Sequence, residues 1–229
     1  MHVVSFLLIP LMEREIIQTD DGSSSVLIPE TNLTYHSMHG AIQESRHVFI
    51  NAGLIPLIES GLYPEIKILE MGFGTGLNAL LTLETAESNH QNILYTTIEL
   101  FPLTMQEEEQ LNYPGKRDLF CLHQAEWNTI FAVSKHFKLF KLHQSLLHFN
   151  SLSRFHLIYF DAFAPDKQPE LWTRNVFQNL FLMLEPDGIL VTYSSAGKVR
   201  RAMQSAGFRV DKIPGPPHKR EMIWAKKEK

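Results

Sequence analysis

Ile66-Lys67-Ile68-Leu69-Glu70-Met71-Gly72-Phe73-Gly74-Thr75-Gly76-Leu77-Asn78 is the stretch that decides the fold of this 229-residue chain. Its first four residues predict a buried strand, three glycines follow at alternate positions, and residues 78–87 predict a helix. A strand that turns through glycines into a helix is typical of a nucleotide site. The missing Cβ atoms let the backbone approach the ligand, and the helix N-terminus offers N–H groups. The stretch therefore predicts an α/β fold with a nucleotide-type ligand.

The glycine spacing and the acid before it narrow the class of ligand. The spacing G-x-G-x-G differs from the G-x-G-x-x-G of dinucleotide sites, since position 77 is Leu. Glu70 ends the predicted strand, and a carboxylate there would repel a pyrophosphate but suits a cationic aminoacyl group. The pattern favours S-adenosyl-L-methionine over a glycine-rich turn without a ligand. The residues of this stretch expected to bind that cofactor are Glu70, Gly72, Phe73, Gly74, Gly76 and Asn78.

The composition is that of a packed α/β domain with a small appendage. Hydrophobic residues make up 44% of the chain and charged residues 20%, which favours a core over disorder. The single cysteine, Cys121, excludes an internal disulfide framework and a cysteine-based zinc site. No apolar run reaches the roughly 18 residues of a membrane span, and the short apolar start at 3–12 lacks the flanking features of a signal peptide. We expect a cytoplasmic protein without membrane contact.

The net charge and the spacing of the histidines bear on whether the chain binds nucleic acid or a metal. The net charge of −4 argues mildly against a general nucleic-acid coat, because phosphate binding needs clustered Lys and Arg. A local basic patch and a merely solvated basic surface both fit the late cluster of Lys198, Arg200, Arg201, Arg209, Lys212, Lys219 and Arg220. His36, His39 and His47 lack the spacing and the carboxylate pattern of zinc sites, so no metal is expected.

The chain is predicted to divide at residue 35. Residues 1–35 read as an N-terminal extension with a β-hairpin, in which an Asp-Gly turn joins 15–18 to 25–28; Met12 is a possible alternative start. Residues 36–229 read as a Rossmann-like domain. Its predicted strands are 66–69, 93–100, 138–142, 156–160, 188–192, 208–212 and 221–225, and its predicted helices are 41–51, 78–87, 103–113, 127–134, 170–184 and 198–206. This alternation predicts a doubly wound, mostly parallel sheet of seven strands that ends in an antiparallel hairpin.

Polar residues at the ends of later strands are expected at the ligand edge of this sheet. Glu99 ends the second strand, where an acid can accept hydrogen bonds from both ribose hydroxyls. Gln144 follows the third strand and can pair with adenine. Asp161 and Phe163 follow the fourth strand, where a carboxylate can orient an amine beside the cofactor and a π face can stabilise positive charge. For each of them, an ordinary strand-end cap or polar turn is the alternative.

Several motifs together resemble the methyltransferase domain of the MnmC family of tRNA wobble-uridine modification enzymes, in its stand-alone form. The resemblance covers roughly residues 13–225. Its most specific segments are Asp161-Ala162-Phe163-Ala164-Pro165 and Lys219-Arg220-Glu221-Met222. It also includes the glycine turn, Tyr35-His36-Ser37, Glu44-Ser45, His47-Val48-Phe49, Lys167, Pro169, Trp172, Thr192-Tyr193-Ser194, Ala196-Gly197, Val199-Arg200-Arg201 and Ala206-Gly207-Phe208.

The resemblance implies an S-adenosyl-L-methionine-dependent N-methyltransferase, and a class I methyltransferase fold for the Rossmann-like domain. Its substrate would be the aminomethyl group at C5 of the tRNA wobble uridine, converted from 5-aminomethyl-2-thiouridine to 5-methylaminomethyl-2-thiouridine. Asp161 and Phe163 would be catalytic, with Asp161 positioning the amine and accepting its proton, because an ammonium has no lone pair. Asp161 would also contact the cofactor. The residues that would bind the anticodon loop of the tRNA are Tyr35, His36, Ser37, Glu44, Lys167, Trp172, Arg200, Arg201, Lys219 and Arg220.

Two departures from the family pattern stand out. Gln144 occupies a position where the family leads us to expect Asp. No flavin-dependent oxidoreductase domain follows residue 229, so a separate oxidoreductase or another upstream modification enzyme is expected to supply the aminomethyl group. Two other functions are alternatives: a small-molecule N- or O-methyltransferase, which the net negative charge favours, and a catalytically silent tRNA-binding partner subunit.

Overall fold

The computed structural model describes residues 13–228, so the expectation that residues 1–11 are an upstream extension lies outside the described residues. The described part opens with three antiparallel strands, β1 (Glu15–Gln18), β2 (Ser24–Ile28) and β3 (Leu33–Thr34). The first two pair around the Asp-Gly turn, which confirms the predicted hairpin. The short strand β3 pairs with β2 and was not predicted.

A helical segment follows the small sheet and packs on the main one. It consists of α1 (Ala41–Ser45), the π-helical stretch Arg46–Leu54 and α2 (Ile55–Glu59), so the helix predicted to end at residue 51 continues to residue 59. Gly53 faces the strands, and a Cβ atom there would lie 3.2 Å from Val191. The glycine therefore allows a close approach of this helix to the sheet.

An eight-stranded sheet forms the centre of the molecule. Its strands are β4 (Glu65–Met71), β5 (Asn92–Glu99), β6 (Ile130–Ala132), β7 (Phe137–His143), β8 (Phe155–Phe160), β9 (Leu184–Thr192), β10 (Arg209–Pro214) and β11 (Glu221–Lys226). Their order is β10-β11-β9-β8-β4-β5-β7-β6. The five strands from β9 to β7 are parallel, and the other three pair antiparallel. All seven predicted strands are present, and β6 adds an eighth at the edge.

Helices cover both faces of this sheet, as a parallel sheet requires. They are α3 (Leu77–Asn89), α4 (Met105–Glu109), α5 (Lys116–Gln124), α6 (Arg174–Met183) and α7 (Gly197–Ser205). Alternate residues of β8 face opposite sides. Leu157 and Tyr159 pack in the core that includes α3, whereas Ile158 and Phe160 pack in the core that includes α6 and α7.

The chain reverses its direction of travel across the sheet at β4. From β4, the strands β5 and β7 are added on one side, whereas β8 and β9 lie on the other. In open α/β sheets, such a switch point leaves a crevice at the carboxyl ends of the two central strands, and ligands bind there. The glycine turn follows β4 and Asp161 follows β8, so both border this crevice.

The helix predicted at 127–134 is wrong. The segment contains the edge strand β6, which pairs antiparallel with β7. Asn128 has a left-handed backbone with φ of 61°, which ends helical geometry, and Ile130 and Phe131 are residue types that favour strands. The free edge of β7 therefore decides the structure of this segment.

The helix predicted at 103–113 is much shorter than expected. Only α4 is helical there, with Thr104 and Glu107 forming a reciprocal cap at its start. Asn112 and Tyr113 instead bind Ser24 of β2, through Asn112 N–H to Ser24 Oγ (3.0 Å) and Tyr113 O–H to the Ser24 carbonyl (2.7 Å). Contacts with the N-terminal sheet therefore override the helical pattern, and the helix α5 that follows was not predicted.

The helix predicted at 170–184 is confirmed with an interruption. A 3₁₀ turn, Pro169–Trp172, precedes α6, and the Thr173 hydroxyl between them accepts a hydrogen bond from the Val176 N–H (3.4 Å). The segment therefore splits at Thr173, which caps α6. In the part of the chain from 13 to 228, no helix is long and apolar enough to cross a membrane.

Candidate functional site

A cavity of about 880 Å³ opens at the carboxyl ends of β4, β5, β7 and β8. Its volume is in the upper part of the roughly 300–1,000 Å³ typical of small-molecule sites. The N-terminal sheet and the residues after it close one side, and the loop between β10 and β11 reaches the other. The expected site residues that line the cavity are Tyr35, His36, Ser37, Glu44, Gly72, Phe73, Gly74, Asn78, Glu99, Gln144, Asp161, Phe163, Lys167 and Lys219.

The glycine turn presents backbone to the cavity. Gly72, Gly74 and Gly76 have φ values of 88°, 50° and 75°, a left-handed conformation that favours glycine. A Cβ atom at Gly74 would lie 3.3 Å from the Tyr35 ring in the cavity wall. Gly76 does not line the cavity, and a Cβ atom there would lie 3.1 Å from His123 Nε2. Two glycines therefore shape the site, and the third allows the turn to pack on α5.

Glu99 ends β5 at the cavity, where an acid was expected to meet a ribose. Its Oε2 accepts a hydrogen bond from the Gly74 N–H (3.0 Å) and its Oε1 accepts one from the Phe101 N–H (2.8 Å). Each carboxylate oxygen has a further lone pair, so Glu99 can accept two ligand hydroxyls and keep these bonds. The Gln144 N–H donates to the Glu99 carbonyl (3.1 Å), which holds Gln144 at the same end of the cavity.

Asp161 and Asn78 join the two central strands across the switch point. Asn78 Nδ2 donates to Asp161 Oδ2 (2.9 Å), whereas the Asn78 amide oxygen is buried without a partner among residues 13–228. Burial raises the pKa of Asp161 to about 7; the Asn78 hydrogen bond and the Lys219 charge oppose this shift, and the Glu44 charge reinforces it. Asp161 can therefore exchange a proton near neutral pH, as a general base does.

Two contacts from outside the cavity hold the segment 161–165. Trp172 Nε1 donates to the Phe163 carbonyl (2.8 Å), and Lys198 Nζ donates to the Pro165 carbonyl (2.9 Å). The Phe163 ring meets the Tyr35 ring edge to face at a centroid distance of 5.3 Å. Trp172 is thus buried behind the wall, so the structure corrects its expected contact with substrate to a supporting position.

The polar residues after the N-terminal sheet meet the loop between β10 and β11. Lys219 Nζ lies 2.5 Å from Glu44 Oε1 and 4.4 Å from the centroid of the Tyr193 ring. His39 precedes Glu44 by five residues, and His218 directly precedes Lys219. The rings of these two histidines stack with their centroids 4.1 Å apart. The segment from Tyr35 to Glu44 and the β10–β11 loop therefore close the cavity together.

His36 is a neutral partner of the glycine turn. Its Nε2 lies 2.8 Å from Thr75 Oγ1, and the Tyr113 hydroxyl oxygen lies 3.1 Å from the same atom. Burial lowers the pKa of His36 to about 4, so the ring is uncharged at neutral pH. His36 lines the cavity but fixes the turn, and its burial does not suit a cationic contact with phosphate.

Glu70 lies beneath the cavity and does not line it. The side chain is 1% exposed, and Oε2 accepts a hydrogen bond from the Thr97 hydroxyl (2.8 Å). Burial raises the pKa of Glu70 to about 8; the Thr97 hydrogen bond opposes this shift and the Asp161 charge reinforces it. A carboxyl in this position supports the turn from below, which corrects the expected direct contact with an aminoacyl group.

We expect Glu70→Gln to stabilise the ligand-free protein at alkaline pH. A carboxyl whose pKa rises from 4.5 to about 8 on folding holds its proton more tightly in the folded state, so its stabilising contribution is lost as pH rises through this window. Removing this carboxyl should raise the free energy of unfolding at pH 9 by roughly 1–3 kcal/mol. This corresponds to an increase in Tm of about 3–10 °C. Calorimetric melting at pH 5 and pH 9 measures the difference. The control is Glu65→Gln, at the start of the same strand. A wild-type slope of Tm against pH in Glu70→Gln would contradict the assignment.

Besides Trp172, three residues expected to bind substrate lie outside the cavity, namely Arg200, Arg201 and Arg220. Arg201 and Arg220 are exposed and Arg200 is half-buried. These positions are compatible with an outer surface for a polyanion but not with contact to a base inside the cavity. Their role in binding tRNA stays a prediction. No group of three or more His, Cys, Asp and Glu side chains that could hold a metal occurs within the described residues 13–228.

Other cavity residues were not found from the sequence. The main ones are Asn32, Leu33, Thr34, Thr75, Leu100, Phe101, Ser145, Leu146, Ala162, Gln168 and Tyr193. Tyr193 follows β9 at the same edge as Asp161, so the strand-end rule could have found it. Arg14 could not have been found, because its partners are distant in the chain. Its Nε and Nη2 bind Glu107 (2.7 and 2.8 Å), which ties the residue before β1 to α4.

Comparisons with known proteins agree with this site. Residues 133–228 match a family described as S-adenosyl-L-methionine-dependent methyltransferase. The chain is 30% identical over 234 residues to the tRNA 5-methylaminomethyl-2-thiouridine biosynthesis bifunctional protein MnmC of Cupriavidus metallidurans, covering 94% of this chain and 34% of that protein. It is 27% identical to the MnmC of Hydrogenovibrio crunogenus, covering 95% of this chain and 34% of that protein. The chain thus spans about a third of the length of these relatives.

A solved structure supports the same assignment. The crystal structure of MnmC2 from Aquifex aeolicus superimposes with a TM-score of 0.79 at 26% identity, covering 93% of this chain and 70% of that chain. The expected class I S-adenosyl-L-methionine-dependent methyltransferase fold is therefore confirmed, as is the resemblance to the methyltransferase part of MnmC.

Proposed function

We propose that this chain is an S-adenosyl-L-methionine-dependent N-methyltransferase that acts on the aminomethyl group at C5 of the wobble uridine in tRNA. The observation that carries the proposal is that Asp161 faces the same cavity as the glycine turn, in a chain similar over 94% of its length to MnmC. The names of those relatives concern 5-methylaminomethyl-2-thiouridine in tRNA, which differs from its aminomethyl precursor by one methyl group.

The residues of the glycine turn and the neighbouring strand ends fit this cofactor. The Cβ-free backbone at Gly72 and Gly74 admits a ligand, and the paired oxygens of Glu99 suit the two ribose hydroxyls. Asn78 lines the same cavity and is a further proposed cofactor contact. Gln144, next to Glu99, is the proposed adenine partner. When bound, S-adenosyl-L-methionine supplies an electrophilic methyl group on a cationic sulfur.

Asp161 and Phe163 are the proposed residues at the reacting amine. A primary alkylammonium has a pKa near ~10 and no lone pair, so it must lose a proton before it can be methylated. Asp161 can accept that proton, and its Asn78 hydrogen bond fixes the orientation of the carboxylate. The Phe163 ring can stabilise the positive charge that develops on the nitrogen. The rest of the task is alignment, which a rigid cavity supplies.

The proposed substrate is a base in a single-stranded loop. Such a base can leave its stack more easily than one in a duplex and enter a cavity. Arg220 follows Lys219 of the cavity, and Arg201 lies on α7, whose Lys198 binds the 161–165 segment. Both exposed arginines are the proposed contacts to tRNA phosphates. A cytoplasmic location and a separate enzyme that supplies the aminomethyl group belong to the same proposal.

Mass spectrometry of nucleosides tests the function directly. The protein is incubated with S-adenosyl-L-methionine and tRNA that carries 5-aminomethyl-2-thiouridine at the wobble position, and we expect a gain of one methyl group on that nucleoside. The control is the same tRNA with an unmodified wobble uridine, which should gain none. If the chain leaves the tRNA unchanged and methylates a free small amine, the small-molecule function replaces this proposal. If neither acceptor gains a methyl group, the chain is instead a catalytically silent tRNA-binding subunit.

We expect Glu99→Ala to weaken cofactor binding and to preserve the fold. Loss of two hydrogen bonds to a charged acceptor should cost roughly 1.5–3 kcal/mol of binding free energy. Titration calorimetry with S-adenosyl-L-methionine measures the change, and the matched control is Glu59→Ala at the exposed end of α2. Unchanged affinity in Glu99→Ala would remove Glu99 from the cofactor site.

A further inference from the structure

The ammonium group of Lys219 lies inside the proposed reaction cavity. Lys219 belongs to the tight loop between β10 and β11, where its N–H donates to the Pro216 carbonyl (2.9 Å). Its Nζ lies 2.5 Å from Glu44 Oε1 and 4.4 Å from the centroid of the Tyr193 ring. A carboxylate on one side and an aromatic face on the other are the two groups that together recognise an alkylammonium.

Glu44 and Tyr193 are held in place by bonds that do not involve Lys219. The second oxygen of Glu44, Oε2, accepts a hydrogen bond from the Ser37 N–H (3.0 Å). The Tyr193 hydroxyl donates to the Ala162 carbonyl (2.9 Å). Only 13% of the Glu44 side chain is exposed. The two groups therefore form a preorganised cation site that would persist if the lysine moved away.

The end of a lysine side chain is chemically an aminomethyl group. Its CεH₂–NH₃⁺ has the same charge, size and hydrogen-bond donors as the substituent of the proposed substrate. The charges of Lys219 and Glu44 both act on the carboxyl of Asp161, so a cation in this position is within electrostatic reach of the proposed base. The lysine thus carries the reacting group of the substrate at a place suited to the substrate.

We propose that Glu44 and Tyr193 form the binding site for the ammonium of the substrate, and that Lys219 occupies this site in the ligand-free protein and leaves when substrate enters. This inference rests on the proposed function, because that function supplies the primary amine. It makes Glu44 and Tyr193 specificity-determining residues that favour an aminomethyl group over a neutral substituent at C5. It makes Lys219 an internal competitor of the substrate.

Binding of nucleosides separates this inference from the turnover assay. The probe is 5-aminomethyluridine, titrated by NMR into the full chain, and the neutral comparison is 5-hydroxymethyluridine. Lys219→Met keeps the length of the side chain and removes its charge. It should bind 5-aminomethyluridine about tenfold more tightly than the wild type, because the nucleoside no longer has to displace the Lys219 ammonium from the site. Adding Glu44→Gln to Lys219→Met should abolish the gain, and neither change should alter binding of 5-hydroxymethyluridine.

A control and a second measurement complete the test. Lys212→Met removes another lysine of the same hairpin, one that pairs with Glu221 (2.5 Å), and it should bind both nucleosides as the wild type does. In the wild type with ¹³C-labelled lysine, saturation with 5-aminomethyluridine should move the Lys219 Cε resonance towards that of a solvated lysine. The inference is overturned if a folded Lys219→Met binds 5-aminomethyluridine no more tightly than the wild type. If that variant does not fold, an unchanged Lys219 Cε resonance overturns it. Both outcomes hold even when tRNA is methylated. If Lys219→Met binds 5-aminomethyluridine more tightly but tRNA is not methylated, the amine site stands and only tRNA as the substrate is rejected.

Discussion

Replacing Asp161 with asparagine is expected to lower kcat for methyl transfer by about 10²–10⁴-fold, the range that a general base contributes. The amide cannot take the proton of the substrate ammonium, but it keeps the shape of the carboxyl and can still pair with Asn78. Affinity for tRNA should change little, because the interaction matters mainly in the transition state. Single-turnover methylation of tRNA, followed by mass spectrometry, measures kcat separately from binding.

The pH profile gives the same prediction a second readout. Because burial raises the pKa of Asp161 to about 7, the active carboxylate is lost as pH falls below neutrality, and wild-type kcat/KM should fall with it. Asp161→Asn should lack this step and show only the titration of the substrate amine. The matched control is Asp118→Asn, an exposed acid of α5 that does not line the cavity. If Asp161→Asn retains wild-type kcat, Asp161 is not the base.

Replacing Gly74 with valine is expected to weaken binding of S-adenosyl-L-methionine by about 100-fold or more, which is roughly 2.7 kcal/mol. Gly74 has φ of 50°, a conformation that costs an L-residue about 1–2 kcal/mol. Its new Cβ would also lie 3.3 Å from the Tyr35 ring at the cavity. Strain in the turn and loss of ligand space act in the same direction, and titration calorimetry measures their sum.

Gly61 offers a closely matched control for that substitution. It has φ of 63°, lies on the surface after α2, and would present a Cβ atom to open space. Gly61→Val should therefore carry a similar backbone strain and lower Tm, yet bind the cofactor as the wild type does. Equal losses of affinity in Gly74→Val and Gly61→Val would mean that general destabilisation, and not the cavity, explains the effect.

The sequence predicted the elements whose signal is local. The alternation of buried apolar runs and amphipathic helices located every strand from β4 to β11 except β6, and it placed Glu99 and Asp161 at the edge where ligands bind. The segment 127–134 failed because its structure depends on the free edge of β7. The segment 103–113 failed because Asn112 and Tyr113 bind Ser24, about ninety residues earlier. Neither the pairing with β7 nor the contact with Ser24 can be recognised from the residues of these two segments alone.

Glu70 shows how one residue of register changes an assigned role. The sequence placed it last in its strand, but β4 runs on to Met71, and Glu70 pairs in register with Thr97 of β5. Side chains alternate along a strand, so Glu70 is directed into the protein towards Thr97. Asp161 comes after the last residue of β8 and escapes that constraint. Sequence patterns locate strand ends only to within a residue or two, which is too coarse to separate these two acids.

The closing of the cavity by Glu44 and Lys219 has a consequence for synthesis of the chain. These two residues are 175 positions apart, so the ion pair between them is among the contacts of longest sequence separation in the molecule. Contacts of this kind form late, because the intervening chain must be ordered before they can be made. On the ribosome, a nascent chain that has passed Asp161 already carries the glycine turn and the acid, but the amine site stays open on one side. We therefore expect the amine site of Glu44 and Tyr193 to be complete before residue 219 emerges, and competition by the internal lysine to be acquired last.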